Sequence, residues 1–334
     1  MRFRMPLRGD QNRDNSRAGL FGTRKYSAFF LVLTLLPALE VPLYSFEWPV
    51  KPEGVVATFG EYRGGFFFKG IEIETMDEDV RAIEAGEIIF SAKETPRHNG
   101  ALPSGSGNSV VIEHERGIRS VYGHLPGIPG RLDKRTLDKN ERLPLPGGHN
   151  GGRGPIAEDE SKLLYLKILD SELEQAVNPL LSLPSVEDTR GVSIESVVLV
   201  PPEESSGSSA ESREDASVSL GESSTAAAGD YEIHIEAFDS SVLGDSTISL
   251  APFSFRVSVN GEEELNIRFE YIRTEEMTHT LSGTGGRGAS EFYRDKWRFC
   301  PGTLRLNSGD AVIEVVVSDI AGNETAETYR LSIR

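Results

Sequence analysis

Six histidines, one cysteine and a large set of carboxylates are the residues of this 334-residue chain that could do chemistry, and their neighbours decide how much. His124, in Tyr122-Gly123-His124-Leu125, and Glu72, in Gly70-Ile71-Glu72-Ile73, both sit in short apolar stretches of the kind that form strands. An imidazole and a carboxylate can share a metal ion or a proton. An isolated imidazole with neither partner does not cleave a peptide bond at a useful rate. His149 lies in the Gly-rich run Gly147-Gly148-His149-Asn150-Gly151-Gly152, where it could supply a metal ligand or simply be solvated. His114 closes a strand-like run and reads as structural, while His98, His234 and His279 have no supporting neighbours. Cys300 is alone, which excludes an internal disulfide and a Cys-rich zinc or redox motif, and predicts a small buried hydrophobe.

The elements that must position these residues read as strands. Val55 to Phe59, Gly70 to Glu74, Asp79 to Ala82, Gly86 to Ala92, Ser109 to His114, Ile118 to Tyr122 and Leu163 to Leu169 are short β-rich runs separated by Gly and Pro. No long amphipathic helix interrupts them, and Pro126 to Glu160 reads as loops. A second β region follows, with Val192 to Val200 leading into it. Alternation in Tyr231, Ile233, Ile235, Ala237 and in Phe253, Phe255, Val257, Val259 predicts strands with one buried face. Asn260-Gly261 between two such runs predicts a two-residue hairpin, because both central positions need positive φ. Between these regions, residues 201–229 are dominated by Ser, Glu and Ala and hold too little apolar surface to offset ordering entropy.

Several ordered motifs resemble the lysostaphin-like (LytM-type) peptidoglycan endopeptidases over roughly residues 46–185. Phe59-Gly60-Glu61-Tyr62-Arg63 followed by Phe68-Lys69-Gly70-Ile71-Glu72 is similar to that family's Phe-Gly-x-Arg and His-x-Gly-x-Asp. Gly107 to His114 resembles its Gly-x-x-Val-x-Ile-x-His strand, Tyr122-Gly123-His124-Leu125 its Tyr-Ala-His-Leu, and Leu163-Leu164-Tyr165 its His-Leu-His. The resemblance implies a zinc site whose ligand positions are Phe68, Glu72 and Tyr165, with Leu163 and His124 at the two positions that handle water. Phe has no donor atom, and a phenol is a poor ligand until it loses a proton of pKa about 10. The expectation is therefore a degenerate site with no metal and no cofactor, unless His149 or another residue rebuilds it.

The sequence thus predicts a mostly β protein, a lysostaphin/LytM-like β-sheet domain followed by an immunoglobulin-like β-sandwich. Residues 1–45 read as a signal peptide or N-terminal anchor, because Arg2, Arg4, Arg8, Arg13, Arg17, Arg24 and Lys25 precede the apolar run Ala28 to Leu36. Residues 46–185 form the peptidase-like domain, 186–200 the strand leading into the second, 201–229 a disordered insertion and 230–334 the sandwich. A net charge of -17 argues against nucleic acid, which needs a basic stripe. Membrane contact is expected only through an uncleaved N-terminal segment. The function expected is that of a non-catalytic protein of the periplasm or cell envelope that binds peptidoglycan peptides or regulates a cell-wall hydrolase. An active zinc endopeptidase with a rebuilt site and a structural or adhesive envelope protein are the alternatives.

Overall fold

The computed structural model describes residues 46–52, 54–75, 79–93, 107–128, 135–145, 162–186, 188–202, 216–221, 224–243, 246–275 and 278–334. The expected export segment and His149 lie outside them, as does much of the Ser/Glu-rich run. The chain is mostly β, built from antiparallel sheets, as its alternating patterns predict.

The first sheet takes β1 (Gly54–Ala57), β2 (Ile71–Thr75), β3 (Gly86–Ala92), β4 (Ser109–Glu113), β5 (Ile118–Gly123), β6 (Thr136–Leu137), β7 (Lys162–Asp170) and β8 (Gln175–Val177). Its plan turns on β7. One edge of β7 pairs with β5, from Ile118↔Asp170 to Gly123↔Tyr165. The other edge is shared, with β2 along Lys162 to Leu166 and β8 along Ile168 to Asp170. Period-two alternation then sends Ile71, Ile73, Leu164, Leu166 and Ile168 into one core with Ile112 and Tyr122. Glu72, Leu163, Tyr165 and Lys167 are left on the opposite face.

The second region contains β9 (Ser193–Val200), β10 (Val218–Ser219), β11 (Ser224–Ala226), β12 (Gly229–Leu243), β13 (Ser246–Leu250), β14 (Ser254–Val259), β15 (Glu262–Arg268), β16 (Tyr271–Glu275), β17 (Thr278–Leu281), β18 (Arg298–Leu306), β19 (Gly309–Ser318) and β20 (Glu324–Ile333). β12 runs between β9 and β18, with β10 and β13 extending that sheet. A second sheet has the order β11-β20-β19-β14-β15. Ile233, Ile235 and Leu304 from one and Phe255, Val315 and Leu331 from the other share one buried core. Asn260 and Gly261 take φ of +53° and +85° in the β14–β15 turn.

Two expectations need correction. The segment expected to be an insertion without structure supplies β10 and β11, and Ala226 is buried against the sandwich. Small residues suffice there because the partner strands, β9 and β20, bring the apolar surface. The expected domain over 46–185 and the second one, entered by the strand at 186–200, also share a sheet and a core. The hairpin β16–β17 leaves the sandwich and pairs with β8, through Tyr271↔Val177, Ile272↔Ala176 and Arg273↔Gln175. Phe59, Phe67 and Ala176 in turn lie in the sandwich core. Asn178, 3% exposed, fastens the same joint by donating its side-chain amide to the Phe269 carbonyl at 2.8 Å.

Gly60 sits at this joint with φ +88°, its carbonyl accepting a 2.7 Å bond from the Tyr293 hydroxyl. A Cβ at Gly60 would lie 2.5 Å from Phe269 Cδ2. The Gly60→Ala variant is expected to lose more than about 1 kcal/mol of stability, from strained backbone and the displaced ring together. Denaturant titration checks this; an unchanged midpoint would mean that the two halves meet loosely here.

Candidate functional site

The residues singled out by the motifs converge on the solvent face of β2 and β7. Glu72 and Tyr165 stand directly opposite each other across that strand pair, and Gly123 stands opposite Tyr165 on the other side. His124 follows Gly123 with φ +57°, which turns its ring back toward the strands, 6.2 Å from the Tyr165 ring. Phe68 enters just before β2, its ring centroid 5.5 Å from that of Tyr165. The two rings come this close because Gly70 has no side chain. A Cβ there would lie 2.4 Å from the Leu166 carbonyl oxygen and 2.6 Å from Tyr165 Cε2. Leu163 lies two residues from Tyr165 on the same face and stays 40% exposed, so the three replacement side chains do not close over the site.

The charge at the centre of this face belongs to an arginine. Arg63 Nη2 lies 3.3 Å from Glu72 Oε2 and 3.6 Å from Glu61 Oε2, and its guanidinium covers the Phe68 ring at 4.7 Å. His124 Nε2 is 3.9 Å from Glu72 Oε1. Glu61 is 5% exposed and accepts from the Thr58 amide at 2.7 Å; burial raises its carboxyl above the ordinary range, with Thr58 and Arg63 pulling the other way.

These residues do not fit a catalytic zinc ion. Such a site takes three N, O or S donors and a water. Phe68 offers none, and burial, with the Glu72 charge behind it, pushes the Tyr165 phenol well above its ordinary value, so it remains a neutral OH at neutral pH. Glu72 and, 3.9 Å from it, His124 Nε2 are the good donors left, one short of three, and Arg63 already faces Glu72.

Other sequence candidates take structural places. His114 bridges the Ala85 carbonyl at 2.8 Å and the Ser120 hydroxyl at 2.7 Å, and burial lowers its pKa, which keeps it neutral. Tyr122 is fully buried and accepts from the Ile83 amide at 2.9 Å. Cys300 is buried and its thiol is pushed up by that burial. Its sulfur lies within 4.8 Å of ligand atoms of Glu232 and His234. Arg294 already supplies the positive charge there, 2.9 Å from Glu232. The sequence reading passed over Lys69, Lys167 and His279, which the fold gathers beside the site. Alternation along β7 would have put Lys167 on the Tyr165 face, but nothing local announces a histidine 210 residues from Lys69.

A protein-family model without a descriptive name matches residues 192–334. No curated protein matches the chain. Among solved structures, the SpoIIQ–SpoIIIAH pore-forming complex aligns at 20% identity and TM-score 0.30, over 42% of this chain and 91% of that one. A zinc-containing peptidase from Vibrio cholerae aligns at 18% and 0.30, over 43% of this chain and 41% of that one. Lysostaphin aligns at 11% and 0.31, over 86% and 96%. With TM-scores this low, the strand order given above remains the description of the fold.

Away from the site, Asp188, Asp239 and Asp319 bring carboxylate oxygens within 4.8 Å of one another, a spacing that a hard cation could bridge. Asp319 accepts from the Gly322 and Asn323 amides at 2.7 and 2.8 Å and from the Asn323 side chain at 2.7 Å. Asp239, 7% exposed, is pushed up to about 7 by burial first and by the Asp319 charge next. A carboxyl raised in the folded state adds stability at pH below its unfolded value of about 4, and that contribution is lost as pH rises through about 7. Asp239→Asn is therefore expected to melt close to wild type at pH 4 and a few degrees higher at pH 8, in buffer with EDTA. A difference that stays flat with pH would show that Asp239 is not strained by its neighbours.

Proposed function

We propose that the protein is a non-catalytic, exported component of the cell envelope that binds a peptide of peptidoglycan, or a wall hydrolase, on the face of β2 and β7. The observation that carries this reading is the set of replacements at the positions where the resembled family holds zinc. The Phe68 and Tyr165 rings pack tilted against each other, Arg63 faces Glu72, and Leu163 remains exposed, which together make an aromatic and charged surface instead of a metal centre. Aromatic side chains with an arginine are the kind of surface on which binding energy concentrates. The ordered motifs from Phe59 to Tyr165 and their convergence on one strand face support descent from a peptidase-like fold. Export rests on the basic and apolar order of residues 1–45.

The joint between the halves weighs against the sandwich as an independent adhesive module. Removing residues 46–185 would take Phe59, Phe67 and Ala176 out of its core and strip β16 of its partner.

Metal content and zinc calorimetry of the purified protein, with Glu72→Ala as control, test the reading. No stoichiometric zinc is expected, and no cleavage of peptidoglycan. Zinc that binds one to one and disappears in Glu72→Ala would overturn it. The double variant Phe68→His with Tyr165→His restores two nitrogen donors beside Glu72 and is expected to gain zinc affinity by about tenfold or more. If it gains none, the face is not a former zinc cradle.

A further inference from the structure

Beside this face, strands from both halves of the chain gather basic groups with no negative partner among the described residues. Lys69 precedes β2, and Lys167 lies on β7 two residues beyond Tyr165, on the same face. His279 comes from β17 and Thr274 from β16. Lys69 Nζ is 3.0 Å from His279 Nδ1 and 3.2 Å from Nε2, and the Thr274 hydroxyl is 3.0 Å from the same Nδ1. Lys69 and Lys167 are both half-buried, yet among the described residues no carboxylate lies within ion-pair distance of either ammonium, and Lys167 makes no hydrogen bond. In a chain with 52 acidic residues against 35 Lys and Arg, counter-charges are plentiful elsewhere.

Holding two ammonium groups partly out of water, with each charge acting on the other, opposes folding unless something offsets it. The strain is visible in their protonation. Burial, then the Lys167 charge, brings Lys69 down to about 8, and burial lowers Lys167. Burial and both lysines lower His279, so the imidazole is neutral at pH 7 and accepts from Lys69. Thr274 holds the ring, and the ring holds the ammonium. Phe66, 62% exposed, places its ring 6.4 Å from His279 and gives the cluster an apolar shelf.

We infer that Lys69, held by His279 and through it by Thr274, forms with Lys167 on the neighbouring strand a binding site for a small oxyanion group, a carboxylate or a phosphate, seated beside Phe66. The anion would offset the mutual repulsion of the lysines and accept their free N–H donors as charge-assisted hydrogen bonds. The site does not depend on what the neighbouring aromatic face binds.

The test is titration of the full chain, at low ionic strength and pH 7, with N-acetylalanine, its neutral amide and inorganic phosphate, read by amide chemical shifts and calorimetry. Saturable binding of at least one anion, centred on Thr274 and His279, with no binding of the amide, is expected. Lys69→Met and Lys167→Met should each weaken it about tenfold or more. Both variants remove a repelling charge, so melting points at or above wild type will show that they are folded; Lys167→Gln repeats the test with a polar side chain. A response to the carboxylate alone assigns a peptide terminus, to phosphate alone a phosphoryl group, and to both an oxyanion site selective by charge. No saturable binding by either anion, or binding that survives both methionine variants, overturns the inference.

Discussion

Strand β7 carries a constraint from which much of the molecule follows: one of its edges is divided between two partners. β2 occupies the first half and β8 the second, so the backbone groups of a nine-residue strand are satisfied only if both arrive in register. The β2 half fixes the face on which Glu72 and Tyr165 stand opposite each other. The β8 half presents a free edge, and that edge is completed by β16 from a segment nearly a hundred residues later. Site and joint are thus set by one strand. A register slip of one residue would turn Tyr165 and Lys167 into the core and Leu164 and Leu166 out to solvent.

On the exposed face, the Glu72 charge meets the Arg63 guanidinium. A carboxylate held between strands needs a positive partner, and Arg63 provides it while covering the Phe68 ring, which a solvated ion would not do. Arg63 is itself kept in place by the tight turn at Gly60, whose carbonyl is held by Tyr293 from the sandwich.

Much of this was legible in the sequence, and the illegible parts share a cause. Gly70 to Glu74 and Leu163 to Leu169 read as strands and fall on β2 and β7, and the alternation in Tyr231 to Ala237 and in Phe253 to Val259 matches the burial of Tyr231, Ile233, Ile235, Ala237, Phe255 and Val257, since burial on one side dictates residue type at every second position. Asn260-Gly261 announced its turn because few other pairs tolerate those angles. Ser224 to Ala226 looked too polar to fold, because composition counts only what a segment brings and not the surface its partners lend it. The departure of β16 to another sheet was invisible for the same reason: Tyr271 to Glu275 has the pattern of any strand, and its partner β8 is three residues long. The gathering of Lys69, Lys167 and His279 follows from that departure, so it could not be read before it.

The dependence of β8 on β16 bears on what becomes of the protein when it is cut. A break in the chain between β9 and β16 that separated the pieces would leave β8 with unpaired N–H and C=O groups along a sheet edge, and β16–β17 as a hairpin with no sheet to join. Bare edges are templates for pairing with another molecule. Arg273 and Glu275 put charge on the β16 edge, whereas Gln175-Ala176-Val177 of β8 carries none, so the β8 edge is the one left open to a strand from a neighbour. Clipping would therefore make the protein prone to exchange strands or aggregate, and the covalent continuity of the chain acts as its protection against that outcome.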